Sequence, residues 1–340
     1  MPQIHSSTMI TDQSSVGEAR RVAVQHAQAL GFDEERRSNI GIAVTEMATN
    51  VLLHGRGGEV LLCPFGEDGG PVWLDVLALD AGPGIRDMAR AMEDGFSTAG
   101  TAGQGLGAVQ RLADESSVFS PVGKGTVSWS RFRLGRPPVV SELGVVSIPV
   151  KGETKCGDGY LLRPEATRSL YMVVDGLGHG VGANEAALEA IETVRQYSGE
   201  TATEMVQRSH DALKKTRGAA MSVAIVDHDR KICTYAGVGN VTAMLVSGTS
   251  SRTMVSQNGT LGAVLPRVVQ EYTYPIEPNA LLLMFSDGLN TRAELGSYAG
   301  VQHRHPMLMA GLLYRDFTRR RDDATVLVAP VGAALEGTPA

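Results

Sequence analysis

The chain has 340 residues, of which 43% are hydrophobic and 20% charged, a composition that suits a folded protein of two domains and excludes a disordered chain. Its formal net charge of -6 argues against a general nucleic-acid binder, which would present a basic face. No basic region followed by an apolar core opens the sequence, and no apolar run approaches the ~20 residues of a membrane span, so neither a signal peptide nor membrane association is expected. Three scattered cysteines without C-x-x-C spacing indicate a reducing compartment and predict a cytoplasmic location.

Two helices are predicted at the start of the chain. We expect residues 1–15 to be flexible. Ser15 followed three residues later by Glu18 is a capping-box pattern, which begins a helix that ends at Gly31. Asp33 is placed to cap a second helix, whose apolar residues recur at helical spacing.

A pair of polar residues marks the second helix. Glu46 and Asn50 are four residues apart, so both lie on one face of the helix, although a solvated polar face would explain them as well. Two apolar or alternating runs, residues 59–65 and 72–79, then predict a β-hairpin whose second strand ends at Asp80.

A loop rich in glycine and other small residues comes next. The run F-S-T-A-G-T-A-G-Q-G-L-G-A leads into a predicted helix at residues 109–113. A dinucleotide-binding motif fits poorly, because such a motif needs a strand directly before its first glycine. The pattern favours a mobile lid whose backbone N–H groups close over phosphates, and a plain flexible loop is the alternative.

The domain boundary is predicted at about residue 138. Pro137 and Pro138 are consecutive, and proline interrupts both helices and sheet interiors. Beyond them, many strand-like runs surround two predicted helices, residues 183–196 and 202–215. Strands that flank a pair of helices predict sheets covered by helices, so the whole chain is placed in the α/β (α+β) class.

Acidic residues stand at strand edges in the second half. Asp175 and Asp287 each follow an apolar run and precede a glycine, Asp322 comes just before a third run, and Asp158 precedes a fourth. Each Asp-Gly pair alone is also an ordinary hairpin turn. Carboxylate oxygens are ligands that Mg²⁺ and Mn²⁺ prefer, so the repetition predicts a metal cluster.

The motifs T-E-M-A-T-N, D-A-G-P-G and G-Q-G-L-G appear in that order over about residues 16–134. With them the first half resembles the GHKL (Bergerat-fold) ATPases, and among these the anti-sigma-factor and stressosome type of serine kinase. The resemblance implies a Bergerat-fold α/β sandwich that binds ATP and Mg²⁺. It implies that Glu46 is the general base, that Asn50 coordinates the Mg²⁺ bridging the phosphates, and that Asp80 accepts from the adenine amino group.

The same resemblance implies further nucleotide contacts. Gly82 and Gly84 would let the nucleotide approach the backbone, and Thr126 would lie beside the adenine. The lid positions are Gly103, Gly105, Leu106 and Gly107.

Five motifs occur in order over about residues 142–330: G-D-G, V-V-D-G-L-G-H-G, M-S-V-A-I-V-D, F-S-D-G-L and R-D-D-A-T-V-L-V. Here the chain resembles the metal-dependent phosphatases of the PP2C-like superfamily, in the sporulation and stress-response (SpoIIE-type) branch. The resemblance implies an α-β-β-α sandwich with two Mn²⁺ or Mg²⁺ ions, which would activate a water for in-line attack on a phosphoester.

The resemblance also implies the ligands of these ions, among which Asp175 and Asp287 are the central catalytic carboxylates. The implied metal ligands are Asp158, Asp175, the carbonyl of Gly176, Asp287 and Asp322. Asp323 is the less favoured alternative to its neighbour, and His179 is expected only to shape its turn. The sequence does not identify the arginine that many larger members of the superfamily use against the phosphate.

Together these features divide the chain into five parts. The predicted parts are a flexible N-terminus (1–15), a GHKL-type kinase domain (16–135), a linker (136–141), a PP2C-like phosphatase domain (142–331) and a flexible tail (332–340).

The predicted function is that of a bifunctional signalling enzyme, which phosphorylates serine or threonine with its first half and removes such phosphates with its second. The expected partner is a STAS-type anti-sigma-factor antagonist or a stressosome protein. No nucleic acid and no membrane are expected as partners. A homodimer is compatible with the predicted function. In one alternative the first half is only an ATP-gated protein-binding module. In another both sites are degenerate and the chain is a docking scaffold, which the retained acids and glycines disfavour.

Overall fold

The computed structural model describes residues 4–66, 70–91, 105–135, 143–163, 167–196, 201–248 and 250–332. The chain separates into two compact units: one is Met1–Val140 with Ser297–Arg315, the other Ser141–Gly296 with Asp316–Ala340. The predicted linker, Gly103 and the first part of the predicted lid lie outside the described residues.

The first unit is one antiparallel sheet with helices. Its elements are β1 (Ser6–Ile10), α1 (Gln13–Ala29), α2 (Glu34–Leu53), β2 (Gly58–Gly66), β3 (Val72–Asp80), α3 (Met88–Ala91), α4 (Gly105–Leu112), β4 (Glu115–Phe119) and β5 (Thr126–Leu134). The strand order is β1-β2-β3-β5-β4. Helices α1 and α2 pack on one face of this sheet, where Val44 and Met47 meet the inward side chains Leu74, Val76 and Ala78.

The start of the chain differs from the prediction in two ways. Residues 6–10, predicted to be flexible, form the edge strand β1, in which Thr8 and Ile10 alternate with less buried residues. The cap of α1 is Asp12 rather than Ser15: the Asp12 carboxylate accepts from the Ser15 backbone N–H at 2.9 Å, and Ser15 is the third helical residue. A short polar edge strand has a weak alternation signal, which explains the first difference. The predicted cap of α2 is confirmed, since Asp33 accepts from Arg36 N at 2.7 Å.

The second unit contains two antiparallel sheets. Its elements before residue 297 are β6 (Gly144–Ile148), β7 (Asp158–Arg163), β8 (Arg168–Gly176), α5 (Val181–Arg195), α6 (Ala202–Ala212), a 3₁₀ turn (Leu213–Lys215), β9 (Ala219–Asp227), β10 (Ile232–Val238), β11 (Thr242–Ser247), β12 (Ser250–Thr253), β13 (Tyr272–Pro275) and β14 (Leu281–Phe285). The last strand is β15 (Ala324–Pro330). The sheet orders are β13-β10-β9-β8-β7 and β12-β11-β14-β15-β6.

Helices cover the outer side of the first of these sheets. Ala186 and Ile191 of α5 and Met205 of α6 pack against strand residues such as Met172 and Met221. Hydrogen bonds link the two sheets, including one from Ser286 Oγ to Asp158 Oδ2 at 2.6 Å. The helices at 183–196 and 202–215 are thereby confirmed in type, although the α-helical part of the second ends at Ala212.

A helix that the sequence did not predict interrupts the second domain. Helix α7 (Pro306–Phe317) lies between β14 and β15 in the chain, yet residues 297–315 belong to the first unit. Every residue from Pro306 to Tyr314 is buried. A helix buried on all sides lacks the periodic pattern of an amphipathic helix, which is why periodicity did not reveal it. The second unit is therefore built from two segments of the chain, while the bounds of the phosphatase domain, 142–331, stay a prediction.

Helix α7 lies on the sheet face of the first unit that is opposite α1 and α2. A Cβ built on Gly311 would stand 3.0 Å from Leu77 Cδ2 and 3.3 Å from Leu79 Cδ2. Leu77 and Leu79 alternate with the residues that face α1 and α2, so their side chains point to the other face. None of the described helices has the length and apolar character needed to cross a membrane.

Candidate nucleotide site and candidate metal centre

The first candidate site is the turn that follows β3. Asp80, at the end of β3, stands opposite Thr126 of β5. Its Oδ1 accepts hydrogen bonds from Gly82 N at 2.8 Å and from Thr126 N at 3.2 Å. Burial raises the pKa of Asp80, while these hydrogen bonds and the charge of Arg315 oppose the rise. The turn therefore fixes one carboxylate in a nearly buried position.

A neighbouring turn packs closely against this one. Gly84 has φ +71°, and a Cβ there would lie 2.3 Å from Pro121 O, so both the backbone angle and the contact require glycine. Gly125 N donates to Gly82 O at 3.0 Å. The predicted glycines thus allow two segments of the main chain to contact each other beside Asp80.

The C-terminal end of α2 meets the same turn. A Cβ on Gly55 would lie only 2.5 Å from Asp80 Cβ. Glu46 and Asn50 are one helical turn apart near this end of α2, and both are half-buried. Burial raises the pKa of Glu46. The structure therefore brings the end of the predicted catalytic helix to the predicted adenine acceptor.

The described part of the predicted lid forms the start of α4. Gly105, Leu106 and Gly107 are its first three residues, and α4 packs against α2. Backbone N–H groups at the start of a helix lack intrahelical partners and favour anions. This placement suits the predicted phosphate contact.

The second candidate site begins with a facing pair of acids. Asp158 at the start of β7 stands directly opposite Asp175 near the end of β8. Burial and the charge of Asp175 raise the pKa of Asp158 well above its usual range, while the hydrogen bond from Ser286 Oγ lowers it. Two carboxyl groups are thus held together, that of Asp158 buried and that of Asp175 half-buried.

Further acids surround this pair. The pKa of Asp175 is raised to about 7, by burial first and then by the charges of Asp287, Asp322 and Asp323. Asp287 Oδ2 accepts a hydrogen bond from Asn240 Nδ2 at 2.6 Å. The other three acids predicted from separate motifs therefore all lie within electrostatic reach of Asp175.

Asp322 and Asp323 have different environments. Asp323 is 2% exposed, and its two carboxylate oxygens accept from Val150 N at 2.6 Å and Gly157 N at 2.7 Å. Asp322 is half-buried, and its Oδ1 accepts from Asp323 N at 2.9 Å. Asp323 thus ties its own segment to both ends of the loop between β6 and β7, which supports Asp322 as the predicted ligand.

A glycine allows the acid-bearing turns to approach. A Cβ on Gly288 would lie 1.8 Å from the carbonyl oxygen of Asp323, a distance that no side chain can tolerate. Because Gly288 has no side chain, the turn that carries Asp287 can approach the segment that carries Asp322.

Within the described residues, no three His, Cys, Asp or Glu side chains already form a metal cage. The predicted donors nevertheless fit a hard divalent cation, because they are carboxylate oxygens and the main-chain oxygen of Gly176. Burial first, and then the charges of the neighbouring acids, raise the pKa of Asp175, and a bound cation would oppose both effects by favouring the ionised carboxylate. The metal assignments remain predictions that this chemistry supports.

Three residues near the acids were not predicted. Ser286 and Asn240 hydrogen-bond the carboxylates of Asp158 and Asp287. Arg217 donates to His179 O at 3.4 Å and packs against Gly182, beside the loop that follows Asp175. Ser286 directly precedes Asp287, so the sequence could have indicated its place near the acids. The positions of Asn240 and Arg217 depend on strand pairing.

This fold and these two sites define the chain as a histidine kinase-like ATPase domain joined to a PP2C-type serine/threonine phosphatase domain. Residues 10–130 match the family described as Histidine kinase-like ATPase domain, and residues 165–332 match Stage II sporulation protein E (SpoIIE). Through its first half the chain belongs to the family of the serine/threonine-protein kinase RsbT of Bacillus subtilis (strain 168): the two are 37% identical over 130 residues, which are 37% of this chain and 97% of RsbT.

The second half is similar to the phosphoserine phosphatase RsbX of the same organism. The identity is 27% over 188 residues, covering 54% of this chain and 92% of RsbX. A solved structure of RsbX in complex with magnesium aligns with a TM-score of 0.50 at 26% identity, over 55% of this chain and 93% of that one. A structure whose description names the bacterial stressosome aligns with a TM-score of 0.53 at 27% identity, over 56% of this chain and 99% of that one.

These similarities confirm the predicted families, the fold class and the phosphatase. They also confirm the coarser functional prediction, a kinase-like ATPase domain and a PP2C phosphatase domain of the partner-switching type. The roles of individual residues remain predictions.

Proposed function

We propose that this protein both phosphorylates and dephosphorylates serine or threonine on one small partner protein. The observation that carries the proposal is the presence of Glu46 and Asn50 on α2, beside the Asp80 turn, in the same chain as the acid cluster around Asp175. A chain that only bound nucleotide would have no need for a half-buried carboxylate at position 46.

The kinase half would work by positioning and proton transfer. Asn50 would hold Mg²⁺, which neutralises charge on the nucleotide phosphates when bound. Burial raises the pKa of Glu46, and a raised pKa suits a base that accepts the proton of an attacking hydroxyl. Asp80, kept in place by Gly82 and Thr126, would accept from the adenine amino group.

The phosphatase half would use its acids to hold cations. Mg²⁺ or Mn²⁺ held there would supply an activated water. Asp158, Asp175, Asp287, Asp322 and the Gly176 carbonyl would be the ligands.

A cysteine nucleophile is disfavoured in this half. Burial and the charges of Asp158 and Asp323 raise the pKa of the Cys156 thiol well above its usual range. The thiol is the weak nucleophile and the thiolate the strong one, so Cys156 stays protonated and unreactive.

For the partner we propose a STAS-type anti-sigma-factor antagonist or a stressosome protein in the cytoplasm. The supporting similarities are those to RsbT, to RsbX and to the structure whose description names the bacterial stressosome. A single partner for both halves would make the two reactions opposed steps on one phosphosite.

The test uses the full chain, labelled ATP, Mg²⁺ and a panel of STAS-domain proteins. Asp287→Asn should block removal of the label, so the phosphorylated partner should accumulate in this variant. Adding Glu46→Gln to Asp287→Asn should abolish labelling. Glu35→Gln, an exposed acid on the same helix, is the matched control and should label normally. Label that persists in the Glu46→Gln background would refute the assigned base.

The alternative, an ATP-gated binding module, has a different outcome in the same assay. It predicts ATP-dependent capture of a STAS protein with no transfer of label, even when Asp287→Asn prevents removal. Hydrolysis of a phosphoserine partner by the second half would still occur in that case.

A further inference from the structure

The segment formed by residues 297–315 is encoded within the phosphatase half but belongs to the first unit. We call it the inserted segment. It contains most of α7, and it contacts the two turns that form the candidate adenine site.

Arg315 joins these two turns. Its Nη1 donates to the main-chain oxygen of Asp80 at 2.8 Å, and its Nη2 donates to the main-chain oxygen of Lys124 at 2.9 Å. A Cβ on Gly125 would lie 2.9 Å from Arg315 Nη1, so the guanidinium is packed directly on the turn. One rigid, planar group therefore fixes the end of β3 relative to the turn before β5.

The other end of the inserted segment holds the same turn. Lys124 Nζ donates to Ser297 O at 2.6 Å and lies 4.9 Å from the ring centroid of Tyr298. The Tyr298 ring makes an edge contact with Phe119, with centroids 6.5 Å apart. The turn at 120–125 is thus contacted from both ends of the inserted segment.

Two further contacts anchor the inserted segment to the sheet. Tyr314 Oη donates to Glu59 Oε1 at 3.0 Å, and the His305 ring stacks on Trp129 with centroids 3.8 Å apart. These contacts give Arg315 a defined position, because the residues around it cannot move independently of the sheet.

We propose that Arg315 is a positioning residue for the nucleotide, which holds the main chain on either side of the adenine-binding carboxylate of Asp80. Adenine recognition by the first half then depends on a residue encoded in the second half. The inference rests on the proposed binding of ATP at this turn. The charge of Arg315 also lowers the pKa of Asp80 against the effect of burial, which keeps this carboxylate an acceptor.

Calorimetric titration of the full chain with Mg-ATP and Mg-GTP tests the proposal. Arg315→Ala should weaken ATP binding roughly tenfold, the effect of losing charged hydrogen bonds. It should weaken GTP binding less, so that the preference for adenine shrinks. Arg315→Lys should recover part of the affinity, because one ammonium retains the charge but lacks the two-pronged geometry. Arg304→Ala, an exposed arginine in the same segment, should bind ATP normally.

The outcomes separate a positioning role from a structural one. Tryptophan fluorescence reports folding of the first unit, because both tryptophans of the chain, Trp73 and Trp129, lie in it. Equal losses of ATP and GTP affinity in Arg315→Lys, or ATP binding unchanged in both Arg315 variants, would overturn the assignment while leaving the proposed function intact. Absence of ATP binding by the unchanged chain would overturn both.

Discussion

Asp158 and Asp175 are directly opposite each other in the antiparallel pair of strands β7 and β8. Most sheets avoid like charges directly opposite each other because they repel. Here burial of Asp158 and partial burial of Asp175 reduce the screening of this repulsion by solvent. Such a pair costs stability, which agrees with the proposed role of both acids in binding a cation.

One substitution in this facing pair should have opposite effects on stability and on activity. With a chelator present, Asp158→Asn should raise the midpoint of thermal unfolding most at alkaline pH, where both carboxyl groups are ionised, because it removes one of two repelling charges. The same change should weaken Mn²⁺ binding and phosphoserine release. Asp229→Asn, at an exposed acid away from both sites, should change neither. A lower midpoint together with unchanged Mn²⁺ binding would contradict the assignment.

Gly288 offers a test of how the acid-bearing turns are brought together. Gly288→Ala places a methyl group against the Asp323 carbonyl, so the turn carrying Asp287 has to move. Phosphatase turnover is expected to drop by at least about tenfold, with a higher Mn²⁺ requirement. Gly296→Ala is the control, because a Cβ there meets only the Glu294 side chain, at 3.5 Å. Normal turnover by Gly288→Ala would show that the approach of the turns is not needed.

Arg217 is a candidate for the phosphate contact that the sequence did not identify. Its guanidinium lies beside the loop after Asp175, within reach of His179 O. Arg217→Ala should raise KM for a phosphoserine protein several-fold and leave Mn²⁺ binding unchanged, because the side chain would contact substrate rather than metal. Arg230→Ala, another exposed arginine, provides the comparison. A change in kcat alone would argue against a binding role.

A buried ion pair stabilises the first unit. Arg131 Nε lies 2.8 Å from Asp75 Oδ1, both side chains are almost fully buried, and the indoles of Trp73 and Trp129 also donate to Asp75. Asp75→Ala should lower the free energy of unfolding by about 3–5 kcal/mol, because it leaves an unpaired buried guanidinium. The ion pair between Arg133 and Glu115 is more exposed, so Glu115→Ala should lower the free energy of unfolding by at most about 1 kcal/mol. Urea unfolding followed by tryptophan fluorescence measures both.

Two histidines predict the acid sensitivity of the same unit: His5, which is buried, and His305, which is half-buried. Burial lowers the pKa of His5 to about 4 and that of His305 to about 3. Both values lie below that of an unfolded histidine, so the unfolded chain binds protons first as the pH falls below about 6.5. Stability present at neutral pH is therefore lost toward pH 4, with each histidine contributing on the order of 3 kcal/mol.

The variant that tests this pH dependence is His305→Phe, which keeps an aromatic ring against Trp129 but cannot be protonated. Its free energy of unfolding should fall less steeply between pH 7 and pH 4, measured by urea unfolding with tryptophan fluorescence. His303→Phe, at an exposed histidine two residues earlier, should behave like the unchanged chain. Identical slopes for His305→Phe and the unchanged chain would refute the buried neutral state.

The sequence by itself determined the two families, the type of most elements and the identity of the candidate site residues. It could do so because each motif is local: Asp80 ends a strand, and Asp175 and Asp287 each stand between an apolar run and a glycine. Helix spacing alone placed Glu46 and Asn50 on one face. Such local patterns can be recognised without knowledge of the rest of the fold.

Only the tertiary structure decided which of these local signals meet. Strand register put Asp158 opposite Asp175, and close main-chain contact at Gly288 brought Asp287 toward Asp322. Helix α7 could not be recognised, because burial on every side removes the polar stripe on which helix prediction relies. The contact of Arg315 with Asp80 joins residues 235 positions apart, and no local pattern encodes a contact between positions so distant in the chain.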